Sequence, residues 1–267
     1  MTASPAHSRA SGNPAKDGSP LQPVPGPAEG WTRVRGRADH TIAIAGVSLI
    51  AAPDGALYWP EQGLLAVADL HLEKGSSFAA RGVLLPPYDS AATLGRLARL
   101  IARYAPRCVV ALGDSFHDGG GPARLGRDDR ENLSALQRGR DWLWIAGNHD
   151  PEPATDIGGT FQAALAIDAL TFRHLPTAAG GEICGHLHPV ARVAHRGRAV
   201  SRRCFAADAT RMVIPAFGAF TGGLDLTDSA YDGLFGVGLT AFLLGKRAVH
   251  AFPFAPSRER RKFSMTA

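Results

Sequence analysis

The chain has 267 residues, 45% hydrophobic and 20% charged, enough for one substantial domain with a real core. No apolar run reaches the roughly 18 to 20 residues that cross a bilayer, and residues 1–30 lack the apolar stretch of a secretion signal, so the expectation is a cytoplasmic protein with no membrane partner. The formal charge of +5 and the pI near 9.4 mislead: residues 41–256 hold 20 Lys+Arg against 20 Asp+Glu, and the excess lies in RVRGRAD (33–39) and RERRK (258–262), ends that could follow phosphates or simply be solvated.

In chain order, residues 1–30 are rich in Pro, Gly, Ser and Ala and cannot offset their ordering entropy by burial; they read as a disordered tail ahead of a domain at 31–256, with a basic tail at 257–267. TIAIAGVSLIAA (41–52) and ALYW (56–59) read as two strands around the turn signal PDG. GLLAVADLH (63–71) is a buried strand ending on metal-capable side chains. Leu94, Leu97, Ile101 and Tyr104 repeat at helical spacing, with Asp89 or Ser90 as N-cap and Pro106 beyond the end. RCVVALGD (107–114) is another buried strand, RDDRENLSALQR (127–138) a second helix and WLWIAG (142–147) a third strand, the alternation of a parallel sheet. After 165 the pattern is strand-rich and implies a second, mixed or antiparallel sheet. Cys108, Cys184 and Cys204 suggest neither a disulfide framework nor a cysteine zinc site.

Four apolar strands end in polar clusters: ADLH (68–71), LGDSFHD (112–118), AGNHD (146–150) and CGHLH (184–188), with FRH (172–174) a weaker fifth. Carboxyl ends of strands in an open α/β sheet share one edge, so the clusters should meet there. Singly each is an ordinary cap, turn or core residue. Jointly they are not, because six of the ten histidines sit at or just after strand ends. Carboxylate, imidazole and amide oxygen without thiolate suit Mn²⁺, Fe²⁺ or Zn²⁺, and seven candidates suit two ions about 3.5 to 4 Å apart, a clamp for in-line displacement at phosphorus.

The ordered set DLH, GDSFHD, GNHD, FRH and GHLH resembles the calcineurin-like metallophosphoesterases over about 40–255. EKGSSFAARGVLLPPYD (73–89) and RRCFAADATRMVIPAFGAFTGGLDL (202–226) resemble a bacterial branch, the ligase-associated DNA damage response endonucleases. The resemblance implies an α/β two-sheet sandwich flanked by helices (αββα). It implies one divalent ion held by Asp69, His71 and His188, and a second by Asn148, His174 and His186, with Asp114 bridging. Mn²⁺ is the first choice, with Fe²⁺ or Zn²⁺ the others. His149 would face the phosphate as acid or transition-state stabiliser, with Asp150 orienting it. The broad family has Asp where His117 stands, with Asp118 one further on; either could support the site from behind. Arg202 and Arg203 could reach a phosphodiester or lie on a strand surface. Gly-rich GAFTGGL (218–224) lacks the lysine and spacing of a P-loop and reads as a tight turn.

The expected activity is metal-dependent hydrolysis of phosphodiesters, with a metal-bridging hydroxide attacking phosphorus. The branch implies DNA, single-stranded by preference, and a repair setting with an ATP-dependent ligase and a helicase. A small-molecule phosphomonoesterase or nucleotidase would use the same ions, and a non-catalytic scaffold of the same fold is the third reading.

Overall fold

The computed structural model describes residues 38–152, 154, 156–195 and 198–254; the expected tails at 1–30 and 257–267 lie outside these. Antiparallel strands β1 (His40–Ile44), β2 (Val47–Ala51) and β3 (Leu57–Trp59) lead into β4 (Leu64–Val67). Helices α1 (Lys74–Ala79) and α2 (Asp89–Tyr104) come next, then β5 (Cys108–Leu112), α3 (Gly121–Arg124), α4 (Arg127–Gln137), β6 (Asp141–Ile145) and β7 (Thr160–Gln162). The seven strands form one sheet in sequence order, and β4 to β7 run parallel.

The stretch 41–52, expected as one strand, is a hairpin. Ala45 and Gly46 turn it with φ of 48° and 81°, the left-handed pair that a two-residue hairpin requires. An alanine in the first of those positions hides the turn from sequence reading. The expected N-cap of α2 also differs. Tyr88 occupies that position without a side-chain bond, while Asp89 Oδ2 accepts from the Gly75 N–H and Ser90 Oγ donates to Glu73. Those two side chains tie α2 to α1 rather than capping their own helix.

The second sheet is built from β8 (Ala164–Ile167), β9 (Leu170–Arg173), β10 (Glu182–Cys184), β11 (Pro189–His195), β12 (Arg198–Ala207), β13 (Met212–Val213), β14 (Leu224–Asp225), β15 (Thr240–Leu244) and β16 (Val249–Pro253). Its order is β14-β11-β12-β13-β10-β9-β8, and the β15–β16 hairpin joins along β12. Strand β10 lies parallel to both β9 and β13.

The period of two along each strand divides the core. Leu64 and Ala66 face Phe172, Ile183 and Phe205 of the second sheet, while Leu65 and Val67 face Leu94, Leu97 and Leu100 of α2. Burying one such leucine contributes about 1.5–3 kcal/mol. The outer face of the second sheet carries Ala191, Cys204, Ala206 and Leu243 under Leu226, Tyr231, Leu234 and Leu239, a segment with one 3₁₀ turn at Ser229–Tyr231. Helices thus cover the first sheet and an irregular segment covers the second. No helix among the described residues is long and apolar enough to cross a membrane.

Candidate metal centre

The strand register sets the site. Val67 pairs with Ala111 and Leu112 with Ile145, so β4, β5 and β6 end level and residues 68–71, 113–118 and 146–150 leave from one edge. The first two of these loops stay together. The Asp69 N–H donates to Gly113 O (3.2 Å), the His71 N–H to Asp114 O (2.9 Å) and the Leu72 N–H to Ser115 O (2.9 Å). The second sheet is stitched to the same edge, since the Phe217 N–H donates to Ala68 O (2.8 Å) and the Gly218 N–H to Asp69 O (3.0 Å).

Backbone conformation is unusual here. Asp69, His71, Asp114, His186 and His188 have φ of 53°, 43°, 45°, 68° and 47°, the left-handed region that costs an L-residue on the order of 1–2 kcal/mol and that gathers at functional sites. The turns bring side chains of successive residues to one side. Two glycines make room for them: a Cβ on Gly147 would collide with Asp114, and one on Gly113, itself at φ 71°, with the ring of His174.

Among the described residues, ligand atoms of Asp69, His71 and His188 lie within 4.8 Å of one another, as do those of Asp114, His174 and His186. His188 Nε2 is 3.2 Å from Asp69 Oδ1, and His174 Nε2 is 3.4 Å from Asp114 Oδ1. His174 is the common wall, with Nδ1 3.8 Å from Asp69 Oδ1. Asn148 Oδ1 stands 2.9 Å from His174 Nε2, and His186 Nδ1 3.2 Å from the same nitrogen. All seven sequence-derived ligand candidates therefore meet at one edge. His117 and His149 form a third group with His71, their rings stacked 5.4 Å apart.

Burial holds the His71 imidazole down at about 3, Asp114 opposing and the neighbouring histidines helping. Asp114 itself is desolvated, which would raise its carboxyl, but His174 and the His149 N–H outweigh this and hold it at about 2. His174 is raised, because the Asp114 bond and the charges of Asp69 and Asp114 overcome its burial. His117 is lowered, by burial first and then by the charges of Lys74 and its neighbours. Neutral His71 and ionised Asp114 are the protonation states that a cation needs, whereas His174, held toward its charged form, must give up its proton to bind one.

These residues suit divalent ions on one further observation: His71 Nδ1 is buried without a hydrogen-bond partner, and His188 Nε2 makes no hydrogen bond despite its 3.2 Å approach to Asp69 Oδ1, whereas buried polar atoms seldom stay unpaired. Oxygen and imidazole donors suit a borderline divalent metal. The three cysteines are free and belong to none of these groups.

Several expected roles change. Asp150 does not orient His149: its Oδ2 accepts from the Ser115 N–H (2.7 Å) and the Phe116 N–H (3.1 Å), and burial raises its carboxyl to about 6. His149 Nδ1 instead lies 2.8 Å from the His117 carbonyl. A carbonyl only accepts, so Nδ1 carries the hydrogen and Nε2, 3.9 Å from Asp114 Oδ2, is the nitrogen left for chemistry. Sequence reading missed this contact because its acceptor is a backbone atom. Asp118 is turned to Arg124, at 2.8 and 2.9 Å. Arg203 Nη1 donates to Ala216 O (2.8 Å), and exposed Arg202 Nη1 donates to Ser201 O (2.9 Å), on opposite faces of β12. In GAFTGGL, Thr221 Oγ1 closes onto Gly218 O (2.9 Å), a turn whose first glycine packs on the Leu70 carbonyl.

Two stacked sheets with such a strand-end cluster define a class: metallophosphoesterases, hydrolases of phosphoester bonds that work with divalent ions. The profile of the calcineurin-like phosphoesterases matches residues 64–203, and the chain belongs to that family. Among solved structures, a nuclease MPE of Pseudomonas putida is similar at 27% identity and a TM-score of 0.62, over 80% of this chain and all of that one. The phosphoesterase Yfce of E. coli is similar at 15% identity and a TM-score of 0.36, over 72% of this chain and 99% of that one. No curated protein matches significantly.

Proposed function

We propose that the protein is a dinuclear phosphodiesterase that cuts DNA, single strands in preference to duplex. The observation that carries the reading is the pair of ligand triads with His149 beside them, belonging to neither. The nuclease among the similar structures supports nucleic acid as substrate.

Asp69, His71 and His188 would hold one ion, and Asn148, His174 and His186 the other, with Asp114 between them; Mn²⁺ is the first choice, Fe²⁺ or Zn²⁺ the alternatives. Bound there, such ions supply an activated water and neutralise charge gathering on the phosphoryl oxygens. His149 does the proton work. With Nδ1–H fixed on the His117 carbonyl, its imidazolium form gives the Nε2 proton to the departing oxygen and remains behind as neutral imidazole. A flexible strand brings its phosphate to this recessed edge without the bending energy that a duplex costs. A repair setting beside an ATP-dependent ligase and a helicase rests on the sequence resemblance alone.

A cavity of about 750 Å³ borders His149, with Arg130 and Glu152 in its walls. It has the volume of a small-ligand site, so hydrolysis of small phosphoesters is the second reading. The test is incubation with Mn²⁺ and, separately, single-stranded DNA, duplex DNA, a chromogenic diester and a monoester. Cleavage of the single strand and the diester is expected. Turnover of the monoester alone would replace this reading with the small-molecule phosphatase.

A further inference from the structure

Six large apolar side chains are exposed among the described residues, and four of them, Val83, Leu84, Tyr88 and Phe220, belong to two segments that α1 and α2 hold side by side. The connection between α1 and α2 supplies three. It is not a loose loop: the Val83 N–H donates to Phe78 O (3.0 Å), and at its far end Asp89 and Ser90 bind Gly75 and Glu73. The tip is thereby fixed with Leu84 87% and Tyr88 69% exposed. Phe220 joins through Lys74, whose Nζ donates to the Phe220 carbonyl (3.0 Å).

Two cations lie over the ring of Phe78 in the adjoining α1. The Arg81 guanidinium sits 4.9 Å from the Phe78 ring centroid, held by bonds from Nε and Nη2 to Ser77, and Lys74 Nζ is 5.9 Å from the same ring. Phe78 in turn stands 5.5 Å from the ring of His117, so the patch continues directly into the histidine group. An exposed apolar surface of this kind marks a binding site, and exposed aromatic faces set among positive charges suit a chain of stacked bases joined by phosphates. A small phosphoester needs no such surface.

We propose that Lys74, Arg81, Tyr88 and Phe220 form a platform that holds the single strand beside the metal centre, the cations on flanking phosphates and the rings against bases. This rests on the nucleic-acid reading above and assigns residues 74–88, which none of the site chemistry uses, to substrate binding.

The test uses the full-length protein, a fluorescent homopolymeric single-stranded DNA and a small chromogenic diester without bases. Tyr88→Ala should raise the Kd for the oligonucleotide about tenfold and lower the ratio of kcat/KM on oligonucleotide to that on diester by a similar factor, while Tyr88→Phe keeps both near wild type. Arg81→Ala should flatten the slope of log K against log salt by about 0.7, the loss of one phosphate contact on a single strand; Tyr88→Ala should weaken binding without changing that slope. Wild-type binding and cleavage that both variants leave intact would overturn the platform and spare the nuclease reading. Equal losses on oligonucleotide and diester would also overturn it, by showing that the segment merely supports the metal centre. Dissociation of a wild-type dimer by Tyr88→Ala, with oligonucleotide kinetics unmoved, would assign the patch to a second copy of the chain. A wild type that cuts the diester and neither binds nor cuts DNA would sink both readings together.

Discussion

Strands β4, β5 and β6 make two surfaces that differ in kind. On the face covered by α2, Leu65, Val67 and Trp144 meet Leu94 and Leu97, all nearly or wholly buried. At their carboxyl ends the same strands run into left-handed residues, buried carboxylates and imidazole nitrogens without partners. The first surface is complete in itself. The second is stable only because the first, and the sheet behind it, hold it in place, and it has unmet bonding capacity that an ion can fill. Strain and unpaired polar atoms are placed where the chemistry is, and ordinary packing offsets them elsewhere.

The contrast can be tested from its strongest consequence to its weakest. Asp114→Asn should abolish hydrolysis of every substrate, since Asp114 touches His174 and the His149 N–H and belongs to a ligand triad; more than about a tenth of wild-type activity with full metal content would remove it from the shared position. His149→Ala should lower turnover about 10²- to 10⁴-fold, the range for losing a general acid. Elemental analysis should still find the ions, and a poor leaving group should suffer more than p-nitrophenolate. Leu97→Ala, on the self-sufficient face, should cost about 2–5 kcal/mol of stability in denaturant unfolding, while turnover of the folded fraction stays near wild type. Stripping divalent ions should leave Leu97 packing intact yet lower stability; restoring them to about a hundred times their Kd should return about 2.7 kcal/mol, and an unchanged melting temperature would contradict the unmet-bonding argument. Asp150→Ala leaves the Ser115 and Phe116 N–H groups unpaired and should cost about 1–3 kcal/mol. Turnover of the folded fraction should stay near wild type; a loss as large as that of His149→Ala would revive Asp150 as the histidine's partner.

The self-sufficient surface and the site differ in how they could be read from sequence. Leu94, Leu97, Ile101 and Tyr104 announce their face by spacing, and all four are buried. That the seven candidate side chains would meet was equally legible, because each follows an apolar run and strand ends share an edge. What was hidden depends on backbone atoms or on pairs far apart in the chain. The His117 carbonyl that meets His149 spans 32 residues and leaves no mark in residue type. Ala45 turns a hairpin with a residue that seldom does so. Asp89 and Ser90 looked like caps because caps favour those residues, but the same side-chain oxygens bond to α1 and its N-cap instead.

The stitch between the sheets has a consequence for how the chain becomes active. Residues 216–218 bind the ends of β4 through Ala68 and Asp69, and the His186 N–H donates to the Asp69 carboxylate. One ligand triad therefore draws on segments more than a hundred residues apart, and its geometry exists only after both sheets have docked. A newly synthesised chain with its first sheet formed and its second still emerging lacks His174, His186 and His188 in place, so neither of these two triads is complete. Hydrolysis is thus a late event in the life of the chain, and an assay of turnover reports the final step of folding.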